Sequence, residues 1–217
     1  MEKNIAILMA DLSGYTALTE THGSFAAADI IDRYIGIVEK CLVGDSRVHE
    51  RTGDELMIVS TSPDCLLATA LVIAKNISTE ENFLLVHGGL HYGKVLERGN
   101  SYFGSTINVT SRIAAKAGAG TYWCSEEFIN ALSDKSVCTS TSKGNHFFKN
   151  IKKEKEVFEI CIEDRRSFYV DPVCRMLILE PKNAIPHPSD GDQYFCSSDC
   201  LEIYITDYPV SKPPQAN

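Results

Sequence analysis

The sequence predicts an α+β fold whose first elements follow the order βαββαβ. Apolar runs of strand length alternate with two stretches in which apolar residues recur every three or four positions. A Thr-Gly-Asp turn at 52–54 separates two of the runs and predicts a hairpin. The order by itself predicts helices on one face of the sheet, and 217 residues suffice for one medium domain plus a small one.

Each element is justified by its own pattern. The first strand is an unbroken apolar run, and the first helix places Ile31, Ile35, Val38 and Leu42 on one face. The second helix has Leu66, Ala70, Ile73 and Ile77 in register. In chain order, the predicted elements are a strand at 4–11, a helix at 24–42, a hairpin of 46–51 and 55–60, a helix at 63–77, a strand at 83–96, a helix from about Ser105, and strands at 120–124, 146–150 and 156–162.

Composition and charge exclude several classes of protein. A formal net charge of −8 and an isoelectric point near 5.3 argue against a nucleic-acid partner, which usually requires a basic face. No run approaches the roughly 18 apolar residues that a membrane span needs. The start, Met1-Glu2-Lys3-Asn4, lacks the features of a signal peptide. We therefore expect a soluble, cytoplasmic protein with no membrane partner.

The eight cysteines fall into two groups. Five are scattered through apolar segments and are typical of thiols in a cytosolic protein: Cys41, Cys65, Cys124, Cys138 and Cys161. The other three, Cys174, Cys196 and Cys200, lie in the last fifth of the chain and indicate a second unit. A polar break at 164–167 gives predicted domains at 1–163 and 168–210, followed by a disordered tail at 211–217.

Two aspartates stand where predicted strands meet turns. Asp11 closes the first strand, and Asp54 lies in the hairpin turn. If the two strands pair, both carboxylates converge at one edge of the sheet, where they suit Mg²⁺ or Mn²⁺, cations that prefer oxygen ligands. Two solvated turn aspartates are the alternative for an isolated pair.

Four sequence fragments in a fixed order carry a resemblance to a known family. They are Asp-Leu-Ser-Gly-Tyr-Thr at 11–16, Thr-Gly-Asp-Glu-Leu-Met at 52–57, Gly-Gly-Leu-His-Tyr-Gly at 88–93, and Tyr-Phe-Gly-Ser-Thr-Ile-Asn-Val-Thr-Ser-Arg at 102–112. Over about residues 3–162 the chain resembles the class III adenylate/guanylate cyclase catalytic domain. The resemblance implies a ferredoxin-like core and an enzyme that converts a purine nucleoside triphosphate to its 3′,5′-cyclic monophosphate and pyrophosphate.

The resemblance also implies roles for individual residues. Asp11 and Asp54 match the ligands of two metal ions, Mg²⁺ or Mn²⁺. Backbone N–H groups from Leu12 to Tyr15, around Ser13 and Gly14, would bind phosphate oxygens at a helix start.

A second set of residues matches groups that act on the ribose and the phosphates. Asn108 and Arg112 lie four apart on a predicted helix and match the family's transition-state pair, the asparagine on the ribose and the arginine on the phosphoryl group. Lys149 matches a lysine that contacts the terminal phosphates, although its lysine-rich surroundings also fit a solvated strand edge.

The two purine-reading positions depart from the family pattern. Glu50 lies four residues before Asp54, and Ser101 lies seven before Asn108. Adenylate cyclases typically have Lys and Asp there, and guanylate cyclases typically have Glu and Cys. A carboxylate accepts hydrogen bonds from guanine N1–H and N2–H₂, so Glu50 favours GTP, with ATP left open.

In this family one subunit supplies the metal ligands and the other subunit supplies the Asn/Arg pair. The resemblance therefore implies a homodimer with shared sites. The odd purine pair also leaves open a catalytically degenerate homologue that acts as a nucleotide-binding or regulatory scaffold.

The last segment resembles a second family. Phe-Tyr-Val-Asp-Pro-Val-Cys-Arg-Met at 168–176 and Gln-Tyr-Phe-Cys-Ser-Ser-Asp-Cys at 193–200 are similar to the YHS domain, a small metal-associated module, over about residues 168–210. Cys174, Cys196 and Cys200 could hold Zn²⁺ or Cu⁺, with Met176 and His187 as candidate fourth ligands. A metal-free structural knuckle and a disulfide formed on oxidation are the alternatives. The remaining histidines, His22 and His87 among them, form no ligand spacing.

Overall fold

An eight-stranded sheet with helices on both faces organises the first 160 residues of the computed structural model. The structure describes residues 1–162, 169–174, 176–178, 181–191 and 193–207. The elements of the sheet domain are β1 (Glu2–Leu12), α1 (Tyr15–Cys41), β2 (Arg47–Thr52), β3 (Glu55–Ser60), α2 (Pro63–Ile77), β4 (Val86–Arg98), β5 (Ser101–Phe103), α3 (Ser105–Ala114), β6 (Tyr122–Ser125), α4 (Glu126–Asn130), β7 (Ser140–His146) and β8 (Lys155–Ile160).

The strand order is ferredoxin-like at its centre. The strands run β2-β3-β1-β4-β6-β8-β7, and β5 pairs with the end of β4. β1 pairs antiparallel with β3 and β4, so that Leu8 lies between Ile58 and Leu90. The predicted βαββαβ order is therefore confirmed, with β4 and β6 as a parallel pair beyond it.

Helices cover both faces, which differs from the expectation of a single covered face. Ala6, Leu8 and Ala10 of β1 pack with α1 and α2 in the main core. The alternate residues Ile5 and Ile7 are equally apolar and form a second core with α3. Because every second residue of a strand faces the opposite way, a strand apolar throughout has to be covered on both sides.

Several element boundaries differ from the sequence prediction. The second helix lies at 63–77 as predicted, but α1 begins at Tyr15 rather than at 24 and is interrupted at Gly23 (φ 80°, ψ 173°). The strand predicted at 146–150 is instead β7 at Ser140–His146. β7 is an exposed edge strand without an apolar alternation, so its sequence carries no strand pattern.

Glycines in β4 determine how closely α3 approaches the sheet. A Cβ atom on Gly89 would lie 2.7 Å from the Thr110 carbonyl oxygen and would also clash with the backbone nitrogen of Ala114. A Cβ atom on Gly93 would lie 2.7 Å from the Thr106 hydroxyl. The backbone of α3 therefore rests directly on the backbone of β4, which fixes the residues that α3 presents.

The C-terminal segment, residues 169–207, is small and docks on the sheet domain. Its elements are β9 (Tyr169–Val170), β10 (Leu177–Ile178), β11 (Ile185–Pro186), β12 (Tyr194–Phe195) and α5 (Ser198–Asp207). Cys174, Phe195 and Cys200 form its core. A β-bridge between Leu84 and Met176 joins it to the sheet domain.

The predicted linker at 164–167 and the predicted tail at 211–217 lie outside the described residues. Within the described ranges, no helix combines the length and the apolar character that crossing a membrane requires.

Candidate active site

Two turns bring Asp11 and Asp54 together at one end of the sheet. The β1–α1 turn carries Asp11, the β2–β3 turn carries Asp54, and the two carboxyl groups lie within hydrogen-bonding reach of each other. They line an open cleft of about 380 Å³, which we call the carboxylate cleft. Its lining residues are Asp11, Leu12, Ser13, Gly14, Tyr15, Thr16, Asp54, His87, Ala117 and Ala119.

Burial and mutual repulsion disfavour full ionisation of this pair. Burial first, and then the charge of Asp11, raise the pKa of Asp54 to about 6. Burial also raises the pKa of Asp11, and burial and Asp54 raise the pKa of Glu55. Two close carboxyl groups lose both protons readily only when positive charge is placed between them.

His87 belongs to the same cleft and was missed by sequence reasoning. Its Nδ1 atom lies 2.9 Å from the Ser13 hydroxyl, and its Nε2 atom lies 4.0 Å from Oδ2 of Asp11. Burial lowers the pKa of His87, which keeps the ring neutral at pH 7. No local spacing could reveal this contact, because 74 residues separate Ser13 from His87.

The start of α1 supplies backbone donors to the same cleft. Gly14 caps the helix in a left-handed conformation (φ 96°), and no side chain caps the helix start. The Ser13 N–H donates to the Leu85 carbonyl at 2.7 Å, and the first helical bond is from Leu18 to Gly14 at 2.9 Å. The N–H groups of Tyr15, Thr16 and Ala17 therefore have no helical acceptor and are available to an anion.

Glu50 and Asn108 meet in a second cleft of about 230 Å³, the α3 cleft. It is lined by Met9, Glu50, Thr52, Glu55, Met57, Ile107, Asn108 and Ser111. Arg112 lies one helical turn beyond Asn108 and is exposed, as is Lys149 after β7. Neither Arg112 nor Lys149 has a hydrogen-bond or ion-pair partner among the described residues.

Ser101 is the sequence-predicted residue that the structure does not join to the others. It is exposed on β5, where it pairs with Arg98, and it is not among the residues that line the α3 cleft. Within residues 1–162, no residue lines both clefts, although the β2–β3 hairpin contributes to each. One chain thus presents the candidate site residues in two adjoining clefts.

Comparison with known proteins identifies the fold and its family. The family model for the adenylate and guanylate cyclase catalytic domain matches residues 1–161. The chain belongs to this family. The match ends where the sheet domain ends, so the C-terminal segment lies beyond it, and residues 1–161 are hereafter the cyclase domain.

Curated relatives share the cyclase domain at moderate identity. A pH-sensitive adenylate cyclase of Mycobacterium tuberculosis is 27% identical over 132 residues, which cover 61% of this chain and 33% of that protein. An adenylate cyclase of Glutamicibacter nicotianae is 28% identical over 117 residues, which cover 54% of this chain and 29% of that protein. The chain thus spans about a third of the length of these relatives.

Solved structures share the fold of the cyclase domain. A Trypanosoma brucei adenylate cyclase in its monomeric state superposes with a TM-score of 0.70 at 17% identity, covering 82% of this chain and 93% of that one. The guanylate cyclase domain of RhGC from Catenaria anguillulae, in complex with GTP, superposes with a TM-score of 0.64 at 17% identity, covering 76% and 100%.

Outside the cyclase domain, the three C-terminal cysteines meet at one point. The Sγ atoms of Cys174 and Cys196 are 3.4 Å apart, and those of Cys196 and Cys200 are 3.8 Å apart. Hydrogen bonds from the Cys174 and Cys196 thiols lower the pKa of Cys200. Whether the three sulfurs hold an ion stays a prediction.

The histidine nearest to these sulfurs is not the one that the sequence suggested. The His187 ring lies near Phe195 in a tilted arrangement and meets Tyr204 edge-on. His22 of the cyclase domain has its Nε2 atom 3.5 Å from the Cys200 sulfur. No sequence pattern selects His22, because 178 residues separate it from Cys200.

Proposed function

We propose that the chain is a nucleotide cyclase that converts a purine nucleoside triphosphate to its 3′,5′-cyclic monophosphate and pyrophosphate. The observation that carries the proposal is the Asp11–Asp54 pair beside the uncapped first turn of α1. This arrangement provides carboxylates for hard cations and N–H donors for phosphates within one open cleft.

The residues of the carboxylate cleft fit Mg²⁺ or Mn²⁺. The donors are carboxylate oxygens, which these cations prefer over nitrogen or sulfur. Burial is the main cause of the raised pKa values of Asp11 and Asp54, and the charge of Asp11 adds repulsion at Asp54. A cation between the carboxylates would offset both effects. When bound, a pair of divalent ions activates the ribose 3′-oxygen and neutralises phosphate charge.

The chain's own groups then bind and orient the nucleotide. The N–H groups of Tyr15, Thr16 and Ala17 hold phosphate oxygens at the positive end of α1. Asn108 hydrogen-bonds the ribose, and Arg112 places its fork of donors on the phosphoryl group that carries the developing charge. Lys149 contacts the terminal phosphates as a mobile point charge.

We further propose a homodimer in which each site combines the carboxylate cleft of one subunit with α3 of the other. Support comes from the division of the candidate residues between two clefts and from the exposed Arg112 and Lys149, which lack partners among the described residues. A twofold axis would generate two equivalent sites.

Glu50 supports GTP as the preferred substrate. Its carboxylate is exposed in the α3 cleft, where it can accept from guanine N1–H and N2–H₂. Ser101 lies outside this cleft, but the hydroxyls of Thr52 and Ser111 line it and can donate to guanine O6. The relatives named as adenylate cyclases make ATP the competing substrate.

The C-terminal segment is proposed as a separate YHS-like module, residues 168–210, which follows a first domain with the sequence-predicted bounds 1–163. The convergence of Cys174, Cys196 and Cys200 on one point supports a site for Zn²⁺ or Cu⁺.

A second candidate function is a non-catalytic nucleotide-binding scaffold. The position of Ser101 outside the α3 cleft favours it, because one half of the family's purine-reading pair is then not in place. Such a protein would bind a purine triphosphate without forming a cyclic product.

The test is to incubate the purified protein with Mn²⁺ or Mg²⁺ and either GTP or ATP, and to identify the product by mass. We expect a cyclic monophosphate, formed faster from GTP, with a specific rate that rises with protein concentration as dimers form. Nucleotide binding without product from either substrate, at concentrations where dimers are demonstrated, would establish the scaffold instead.

A further inference from the structure

A histidine and three cysteines from opposite ends of the chain form one compact cluster. Candidate ligand atoms of His22, Cys174, Cys196 and Cys200 all lie within 4.8 Å of one another. Cys174 and Cys200 are fully buried, and His22 and Cys196 are half-buried. All three cysteines are free thiols, and three sulfurs in mutual contact cannot all be paired as disulfides.

We propose that His22 completes a Cys₃His site for Zn²⁺ that joins the C-terminal segment to the cyclase domain. The proposal goes beyond the nucleotide site, because none of these four residues lines either cleft. Three thiolates and one imidazole are a common ligand set of structural zinc sites.

The spacing of the ligand atoms fits a tetrahedral ion. With Zn–S near 2.3 Å and Zn–N near 2.0 Å, a regular tetrahedron has S···S edges of about 3.8 Å and S···N edges of about 3.5 Å. Two of the three S···S distances are 3.4 Å and 3.8 Å, and the Cys200 Sγ to His22 Nε2 distance is 3.5 Å. The other ligand atoms lie within 4.8 Å of one another, which leaves small adjustments to a bound ion. The imidazole nitrogen therefore lies close enough to the three sulfurs to share one ion with them.

A buried carboxylate holds the cysteine-bearing loops in position. Asp171 is fully buried, and its Oδ1 accepts hydrogen bonds from the N–H groups of Val173 (2.8 Å) and Cys174 (3.0 Å). Its Oδ2 accepts from the N–H of Cys196 at 2.7 Å. One side chain thus holds in place two turns that carry proposed ligands and are 22 residues apart. Side chains that orient the ligands in this way are typical of metal sites.

Contacts outside the cluster hold the C-terminal segment against the cyclase domain. Met176 forms the β-bridge with Leu84, and the Asn183 amide donates to Glu81 at 3.4 Å. His22 therefore meets the cysteines as part of a wider docked surface, and the ion adds a link between two surfaces already in contact.

The link reaches the nucleotide site through the first half of α1. This half runs from Tyr15 to His22 and ends at the break at Gly23. Its first turn provides the phosphate donors, and its last residue is the proposed ligand. Zn²⁺ binding at His22 should therefore slow hydrogen exchange in residues 16–26 as well as around the cysteines.

The experiment titrates the full-length protein, reduced and stripped of metal, with Co²⁺ as a spectroscopic probe and then with Zn²⁺. For the wild type we expect one equivalent of Co²⁺, thiolate-to-metal charge-transfer bands and the visible bands of a four-coordinate site. His22→Ala should bind about 10- to 100-fold more weakly with shifted visible bands, because water replaces the imidazole. Glu20→Ala, an exposed change on the same helix, should match the wild type in affinity and spectrum.

Hydrogen exchange then distinguishes a joining site from a cysteine-only site. Zn²⁺ should protect residues 16–26 in the wild type and in Glu20→Ala, but not in His22→Ala. Unchanged affinity and spectrum in His22→Ala would overturn the role of His22, and the absence of stoichiometric metal binding in the wild type would overturn the site itself. Since neither readout needs turnover, failure here leaves the proposed cyclase activity untouched.

Discussion

The carboxylate cleft and the α3 cleft are built in opposite ways. In the carboxylate cleft the candidate functional groups contact one another: the Asp11 carboxyl group lies next to that of Asp54, and the Ser13 hydroxyl lies next to the His87 ring. Around the α3 cleft, Asn108 is exposed, and the nearby cations Arg112 and Lys149 extend into solvent without partners among the described residues. The groups of the carboxylate cleft contact one another within the chain, whereas the groups around the α3 cleft face solvent.

This difference agrees with the proposed homodimer, in which two subunits would contribute different groups to each site. A preassembled carboxylate pair carries unfavourable charge that a cation relieves, so it can be loaded with metal by a single chain. Exposed hydrogen-bond donors on a rigid helix cost little free energy, because water solvates them. Their electrostatic interactions with a substrate become stronger when a closed site excludes solvent. The following predictions test this comparison, from the largest expected effect to the smallest.

Asp54→Asn should reduce turnover by about 1000-fold or more, since metal-assisted charge stabilisation contributes several kcal/mol to such reactions. The same change should leave the metal-free protein folded and no less stable at pH 7, because it removes the repulsion with Asp11. Initial rates and thermal denaturation measure the two effects. Asp29→Asn, at an exposed position of α1, is the matched control and should change neither.

Mixing Asp54→Asn with Arg112→Ala should restore activity that neither variant has. Random exchange makes half of the dimers mixed, and each mixed dimer has one intact site, so about a quarter of wild-type activity is expected. The measurement is the specific rate after the two variants are mixed and allowed to exchange. If mixed dimers are demonstrated and the rate stays at background, each site is contained within one chain and the proposed sharing is wrong.

Glu50→Lys should shift the ratio of kcat/KM for GTP over ATP by roughly 10-fold toward ATP. A single base-edge hydrogen-bond pair of this kind discriminates by about 1–3 kcal/mol, and an ammonium can donate to adenine N1. Competition assays with both nucleotides provide the ratio. Glu39→Lys changes the charge equally on an exposed part of α1 and should leave the ratio alone. An unchanged ratio in Glu50→Lys would mean that Glu50 does not read the base.

The smallest effect is a pH dependence of metal stabilisation. The folded pKa of Asp54, about 6, lies above its unfolded value of about 4. Protonation of Asp54 therefore stabilises the folded state fully below pH 4, and this stabilisation is lost as the pH rises through 6. Mn²⁺ binds the ionised pair and should restore stability in the same window.

We therefore expect Mn²⁺ to raise Tm by about 2–4 °C at pH 7.5 and by little at pH 5. Thermal denaturation at both pH values, with and without Mn²⁺, measures it. Asp54→Asn should show no pH-dependent gain. An equal rise in Tm at both pH values would place the ion elsewhere.

Much of the cyclase domain could be predicted from its sequence because its apolar pattern is strong. β1 and α2 follow unbroken or periodic apolar residues, and α2 lies at the predicted positions. The first half of α1 was missed because Gly23 interrupts the pattern, and β7 was misplaced because its exposed residues carry no alternation.

The candidate site residues that could be predicted are those that lie in recognisable local sequence motifs. Asp11 and Asp54 lie in recognisable turns, and Asn108 and Arg112 lie in a recognisable helix start. His22 and His87 gave no signal, because each meets its partners across a long loop of chain that only the fold closes. The distribution of the site residues between two clefts is likewise a property of the sheet and not of any segment.

The glycine contact between β4 and α3 constrains how such a shared site can open and close. The backbone of α3 lies against Gly89 with no room for a methyl group, so the helix and the strand pack backbone to backbone. Asn108 is therefore held at a defined position relative to its own sheet. In the proposed homodimer, exchange of substrate and product would have to come from rotation of one whole subunit against the other, with α3 and β4 turning as a single rigid body.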